Sequence, residues 1–212
     1  MIAKRCFLLF TVNYSMTWVI TGLGNPGDEY EHTRHNTGRM ALQQFCTEHR
    51  LGEWKEDKKS KATVARGMIE RTLVVLVLPD TFMNKSGSAI VKYVKSVKAA
   101  EKLVVVYDDL DLPLGAMKIS FDRGSGGHKG IESIARATKT KRFWRVRVGV
   151  SLSTAGGDLR KPSGEKEVLK FILDPFKPHE HAQLKQVFKR VSQALETIVL
   201  DGPEKAMNQF NG

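Results

Sequence analysis

Residues 18–36 read WVITGLGNPGDEYEHTRHN, and the change of character along this stretch decides the fold. A short apolar run, Trp18-Val19-Ile20, has the composition of a buried strand. It empties into a loop carrying Gly22, Gly24, Asn25, Pro26 and Gly27, and the loop then delivers Tyr30, Arg34, His35 and Asn36. A buried strand followed by a glycine-shaped polar loop opens a strand–helix unit, and loops hung on strand ends are where chemistry concentrates.

Outward from this stretch, strand and helix patterns alternate. Residues 37–50 read as a helix with Met40, Ala41, Phe45 and Cys46 on one face. Residues 53–61 form a charged connection, and 62–69 and 73–78 are strands joined by a turn at Glu70-Arg71-Thr72. Pro79 ends the second of these, residues 80–84 form a loop, and 86–98 read as one helix with Ile90, Val91, Val94 and Val97 inward. Residues 103–107 are a third buried strand running into Asp108-Asp109-Leu110-Asp111, and 116–121 are a further strand. The glycine-rich run Gly124-Ser125-Gly126-Gly127-His128 opens a helix reaching about residue 138, and 145–150 are the last clear strand. Residues 151–163 are rich in Gly, Ser and Pro and read as flexible, 166–173 as a short helix, and 179–200 as a long amphipathic helix.

This pattern predicts an α/β fold: one domain with a mixed, mostly parallel sheet and helices on both faces. The domain spans 18–200, and 201–212 read as a C-terminal tail. Residues 1–17 read as an extension, either disordered or translated from an upstream start codon. Lys4-Arg5 and the apolar run after them mimic a secretion signal, but the run is short and no small-x-small cleavage site follows.

A chain of 212 residues with 41% hydrophobic content can bury roughly 70% of its unfolded surface and needs no staple. The two cysteines, Cys6 and Cys46, form no framework, and no apolar run approaches a membrane span. A cytoplasmic protein is the simplest expectation. The net charge of +11 favours a polyanionic partner, without any zinc-finger spacing to suggest a sequence-reading module.

Three polar clusters follow strands: residues 25–36, Met83-Asn84, and residues 108–111. In open α/β sheets ligands gather beyond the carboxyl ends of the strands, so these loops and His128 are expected to share one crevice. Gly22-Leu23-Gly24-Asn25-Pro26-Gly27 also satisfies the GxGxxG dinucleotide fingerprint, with Glu48 about twenty residues on. That reading fits poorly. The fingerprint needs a helix to start inside the motif, whereas here Asp28, Glu29 and Glu31 would repel phosphate and the next helix starts near residue 37.

The chemistry open to such a set is hydrolysis. A neutral histidine can take a proton from water, a carboxylate can hold its tautomer, and an asparagine can orient the water or donate to an oxyanion. No GxSxG elbow is present and neither cysteine has activating surroundings, so no covalent nucleophile is indicated. His32 and His35 lie i,i+3 with no further His or Cys constellation, so no metal and no cofactor are called for. Activated water acting on a reactive bond such as an ester is the reading.

The blocks GLGNPGDEYEHTRHNTG, LPDTFMNKSGSAI and YDDLDLPLGAMKISFDRGSGGHKGIESI, in that order, resemble the signature blocks of bacterial-type peptidyl-tRNA hydrolases, and RFWRVRVGV resembles the strand that follows them. The resemblance covers roughly residues 18–200. It implies cleavage of the ester joining a peptide to the 3′ end of tRNA, without metal, by a monomeric enzyme. It also implies His35 as general base with Asp108 as its orienting carboxylate, Asn25 at the scissile ester, and Asn84 on water or oxyanion. Tyr30, Met83 and His128 would line the substrate crevice. Asp109 and Asp111 stand as alternatives to Asp108.

Two departures stand out. Family members usually carry Asn where this chain has Lys129, exchanging an amide for a cationic donor. Of the family's basic clamp on the tRNA 5′ phosphate, Arg147 matches one member, while the other position is Ser120, with Lys118 two residues earlier on the same strand face. A chloroplast branch of the family serves RNA splicing instead of catalysis; the joint presence of Asn25, His35, Asn84 and Asp108 favours the enzyme.

Overall fold

A computed structural model describes residues 17–154 and 156–211. The expected extension, apart from Thr17, and Cys6 within it lie outside the described residues. The apolar runs become the middle of a mixed sheet. β1 (Thr17–Gly22) lies between β4 (Thr72–Pro79) and β5 (Leu103–Pro113), parallel to both, and β7 (Trp144–Ser153) continues the parallel set beside β5. Antiparallel strands finish the edges. β2 (Lys55–Asp57) and β3 (Ala62–Ile69) extend one side, while β6 (Met117–Phe121) pairs with β7 on the other, giving the order β2-β3-β4-β1-β5-β7-β6. A short β8 (Leu159–Arg160) pairs with the end of β7.

Both faces of the central strands are buried, because successive side chains point to opposite sides and helices cover each. Trp18, Ile20, Leu76, Val104 and Val106 face α1 (Thr37–Glu48), α6 (His181–Leu200) and α7 (Pro203–Phe210). Val19, Val75, Val77, Val105 and Tyr107 face α2 (Ser86–Ile90) and α4 (Lys129–Thr138). The α/β architecture with a mixed sheet expected from the alternation is the one observed, with three parallel pairings at its centre and four antiparallel ones toward its edges.

Several local expectations fail, each for a physical reason. The single helix expected over 86–98 is two pieces, α2 and α3 (Val97–Ala100). β-Branched Val91, Val94 and Val97 weaken the helix, Ser96 caps α3 by accepting from the Ala99 N–H at 3.0 Å, and Val91 and Val97 face outward. Residues 53–61, expected as a loose connection, contain edge strand β2, and Asp57 there accepts from Lys92 and from the Tyr93 hydroxyl. Residues 151–163 are partly strand. The expected tail over 201–212 carries α7, started by Gly202 and Pro203, with Ala206 and Phe210 buried in the main core.

Two glycines set where the site forms. A Cβ on Gly22 would lie 2.3 Å from the Gly38 carbonyl oxygen, and one on Gly38 would lie 2.2 Å from that of Val106. The start of α1 therefore rests directly on the end of β1 and the middle of β5. The residues just before α1 hang over the middle of β5 in consequence.

Candidate active site

His35 is the middle residue of a 3-10 turn, Arg34–Asn36, that leads into α1. Asp108 lies on β5 itself, since the strand runs on through the acidic cluster expected as a loop. His128 is the N-cap of α4, after the glycine-rich loop. These three elements converge. Asp108 is buried, and its carboxylate accepts from His35 Nδ1 at 3.0 and 3.1 Å and from His128 Nε2 at 3.0 Å. The imidazole rings are 5.1 Å apart, and Tyr107 meets His128 edge-on at 4.8 Å.

Both tautomers follow from the hydrogen bonds. His128 Nδ1 accepts from the N–H groups of Gly130 and Ile131 at 3.2 and 3.4 Å, so its proton sits on Nε2 and points at Asp108. His35 donates from Nδ1 to the same carboxylate, which leaves Nε2 with its lone pair and no protein partner among the described residues. Burial would push the Asp108 carboxyl up, but the two imidazoles outweigh it and hold the group well below the usual carboxylate range. Burial, and then the charge of Asp109, push the Tyr107 hydroxyl up to about 12.

His35, Asp108 and His128 offer three potential metal ligands within 4.8 Å of one another, a grouping invisible in the sequence spacing. Their chemistry fits a cation poorly. The backbone N–H groups on His128 Nδ1 place the proton on the nitrogen that would have to ligate. The cluster is joined by protons.

A cleft of about 610 Å³ opens beside it, lined on one wall by His35, Asp108, His128 and Lys129 and on the other by Val168, Leu169 and Ile172 of α5 (Glu165–Leu173). Lys129 donates to Glu165 at 3.3 Å from wall to wall.

The model of the peptidyl-tRNA hydrolase family matches residues 19–212. The chain belongs to that family. The peptidyl-tRNA hydrolase of Aquifex aeolicus is 38% identical over 194 residues, covering 91% of this chain and 95% of the relative. That of Herpetosiphon aurantiacus is 38% identical over 197 residues, covering 92% and 90%. The crystal structure of the peptidyl-tRNA hydrolase from Acinetobacter baumannii superposes with a TM-score of 0.81 at 30% identity, covering 92% of this chain and 95% of that one. Membership makes the chain a hydrolase.

Within this hydrolase the remaining expected residues are distributed unevenly. Asn25 is buried; its side-chain oxygen accepts from the Met83 N–H at 2.9 Å, and Asn36 grips its backbone through bonds of 2.8 and 2.9 Å. The Asn25 Nδ2 has no protein partner among the described residues. Asn84 is exposed on the 3-10 turn Met83–Lys85, and Tyr30 sits edge-on to Phe82 at 6.5 Å. Asn25, Tyr30, Met83, Asn84 and Lys118 lie outside the lining of the cleft, whereas Lys129 and Arg147 belong to it. Lys118 pairs across the sheet with Arg147, and the Ser120 hydroxyl is buried without a partner among the described residues. The alternatives to Asp108 are engaged elsewhere: Asp109 accepts from Arg147 Nε at 2.6 Å and Asp111 from Lys161 Nζ at 2.8 Å.

The sequence does not reveal the anchor of the turn that carries His35. Arg34 is buried and donates Nη2 to both oxygens of Glu180 at 2.8 Å, while Nη1 donates to the carbonyls of Asp174 and Pro175 at 3.2 and 2.9 Å. Its guanidinium lies 4.6 Å from the Phe171 ring centre and 5.1 Å from that of Phe176. It ties the turn holding His35 to the base of α5. Nothing in the sequence pairs residues 146 positions apart.

Proposed function

We propose that the chain hydrolyses the ester between peptide and the 3′ end of tRNA in peptidyl-tRNA, releasing free tRNA for reuse, with water activated by His35 and no metal. The observation that carries the mechanism is the clasp on Asp108: two histidines donate to one buried carboxylate, and only His35 keeps a lone pair free on its far nitrogen.

His35 Nε2 takes a proton from water as the oxygen bonds to the ester carbonyl carbon, and Asp108 stabilises the imidazolium that forms. The tetrahedral oxyanion receives hydrogen bonds from the free Nδ2 of Asn25 and from Asn84, once the exposed turn carrying Asn84 meets the substrate. Collapse breaks the bond to the ribose 3′ oxygen, which takes the proton back from His35. The products are tRNA with a free 3′ hydroxyl and a peptide carboxylic acid, which gives its remaining proton to solvent. His128 keeps Asp108 ionised and oriented. The apolar wall of α5 takes peptide side chains, Lys129 takes a peptide carbonyl, and Tyr30 and Met83 support the ester's surroundings.

Lys118 and Arg147, adjacent across the sheet, take the phosphate at the tRNA end. The +11 charge supports an RNA substrate, and the buried free thiol of Cys46 suits a cytoplasmic enzyme, which we take to act as a monomer. No helix among the described residues is long and apolar enough to cross a membrane.

The test is release of peptide from peptidyl-tRNA by the wild type and by His35→Ala. Loss of the base should lower kcat by about 10²–10⁴-fold. Wild-type protein that binds peptidyl-tRNA without cleaving it would remove the hydrolase reading.

A further inference from the structure

Behind α4 lies a second cleft, of about 540 Å³, whose charge the chemistry at His35 does not use. Its lining carries five cationic side chains, Arg123, Arg136, Lys139, Lys141 and Arg145, against one carboxylate, Glu132. The first four are exposed, and none forms an ion pair among the described residues. Glu132 is occupied, accepting from the Ser125 hydroxyl at 3.1 Å.

Arg145 is the organising residue. It is fully buried, stacked 4.1 Å from the Phe143 ring centre, and has no carboxylate partner among the described residues. Its guanidinium donates to the carbonyls of Lys141, Phe143 and Arg123, and its Nε is buried and unpartnered. It therefore fixes the glycine-rich loop and the turn after α4 as two walls, and it places an uncompensated positive charge between them. The carboxyl end of α4 points here, but its dipole amounts to roughly half a negative charge. That accounts for one cation and not five.

We propose that this cleft is a second phosphate-binding site, which takes two or three successive phosphodiesters of an RNA backbone whose 3′ end lies in the cleft at His35. Arg123 and Ser125 line both clefts, so a strand leaving one crosses a shared lip into the other. Guanidinium forks donate bidentately to phosphate oxygens, and the Ser125 and Thr140 hydroxyls in the lining add donors. The site deepens the proposed function, which supplies the identity of the RNA.

The experiment uses the full chain and deacylated tRNA, with affinity followed from 50 to 200 mM salt. In the triple variant Arg136→Gln, Lys139→Gln, Lys141→Gln the log–log salt slope should shrink by about 2 to 3, at about 0.9 per phosphate released. Affinity at 100 mM salt should fall roughly tenfold or more. Cleavage of a minimal ester, a peptide on a 3′-terminal adenosine, should keep its wild-type kcat/KM. An unchanged slope overturns the site, as does equal loss on the minimal ester, or competition by polyglutamate as effective as by tRNA. If the triple variant fails to fold, Arg136→Glu alone must weaken tRNA binding more than Arg136→Gln. If wild-type protein cleaves no ester, the hydrolase reading falls while the salt slope still decides the site.

Discussion

Arg34 and His35 are neighbours in the chain, both buried, and both bonded to a buried carboxylate, yet their environments differ in one respect. Arg34 spends both terminal nitrogens on Glu180 and two carbonyls, closed in by Phe171 and Phe176. His35 spends one nitrogen on Asp108 and keeps the other open beside the cleft. The first arrangement locks a loop and the second leaves a lone pair for chemistry. Function in this region is read from an acceptor left open beside the cleft, since burial, charge pairing and even an unpartnered nitrogen, the Nε of Arg34, are common to both.

The comparison can be broken from either side. The largest effect falls on the open side. In Asp108→Asn the backbone bonds to His128 hold that ring's proton on Nε2, so the amide oxygen must face His128 and its NH₂ must face His35. An amide NH₂ 3.0 Å from His35 Nδ1 then competes with the oxygen 3.1 Å away and favours the tautomer with its proton on Nε2, the wrong one for a base. Activity should drop about 10³–10⁴-fold. The same variant tests pH linkage. The Asp108 pKa is depressed in the folded state, so its contribution to stability is full above the unfolded value near 4 and is lost as pH falls through the native value. Urea unfolding from pH 6 downward should show this acid-dependent loss in wild type and a smaller one in Asp108→Asn.

The closed side should fail as structure. Arg34→Ala leaves the Glu180 carboxylate buried without its partner and should cost about 3–5 kcal/mol in denaturant unfolding. A paired replacement, Arg34→Met with Glu180→Leu, should recover most of that. Equal losses in the single and paired variants would show that the ion pair is not what Arg34 contributes.

The smallest effect is expected at His128. His128→Asn keeps a good N-cap on α4 but removes one donor from Asp108. Melting temperature should hardly move while kcat falls about tenfold, well short of losing the base.

The parallel centre of the sheet was legible because residues 73–78 of β4 and 103–107 of β5 are continuous apolar runs that only a doubly covered strand tolerates. The break between α2 and α3 was not, since helical spacing continues through Val91, Val94 and Val97 while their branching and Ser96 stop the helix. Helix α7 was overlooked although Gly202-Pro203 is a start signal, because eight residues after a long helix look like a tail. In the site, His35 and Asp108 were legible as a base and a carboxylate at strand ends. The second histidine on the same carboxylate was not, because that contact depends on how far α4 reaches over β5. The Arg34–Glu180 lock is equally a product of tertiary folding.

The central claim is that the free nitrogen of His35 does the work. It is tested most directly by single-turnover cleavage of peptidyl-tRNA with His35→Ala in the absence and presence of added imidazole. The variant's rate should lie about 10²–10⁴-fold below wild type at unchanged tRNA affinity, rising in proportion to neutral imidazole. A His35→Ala enzyme that turns over at the wild-type rate would contradict it.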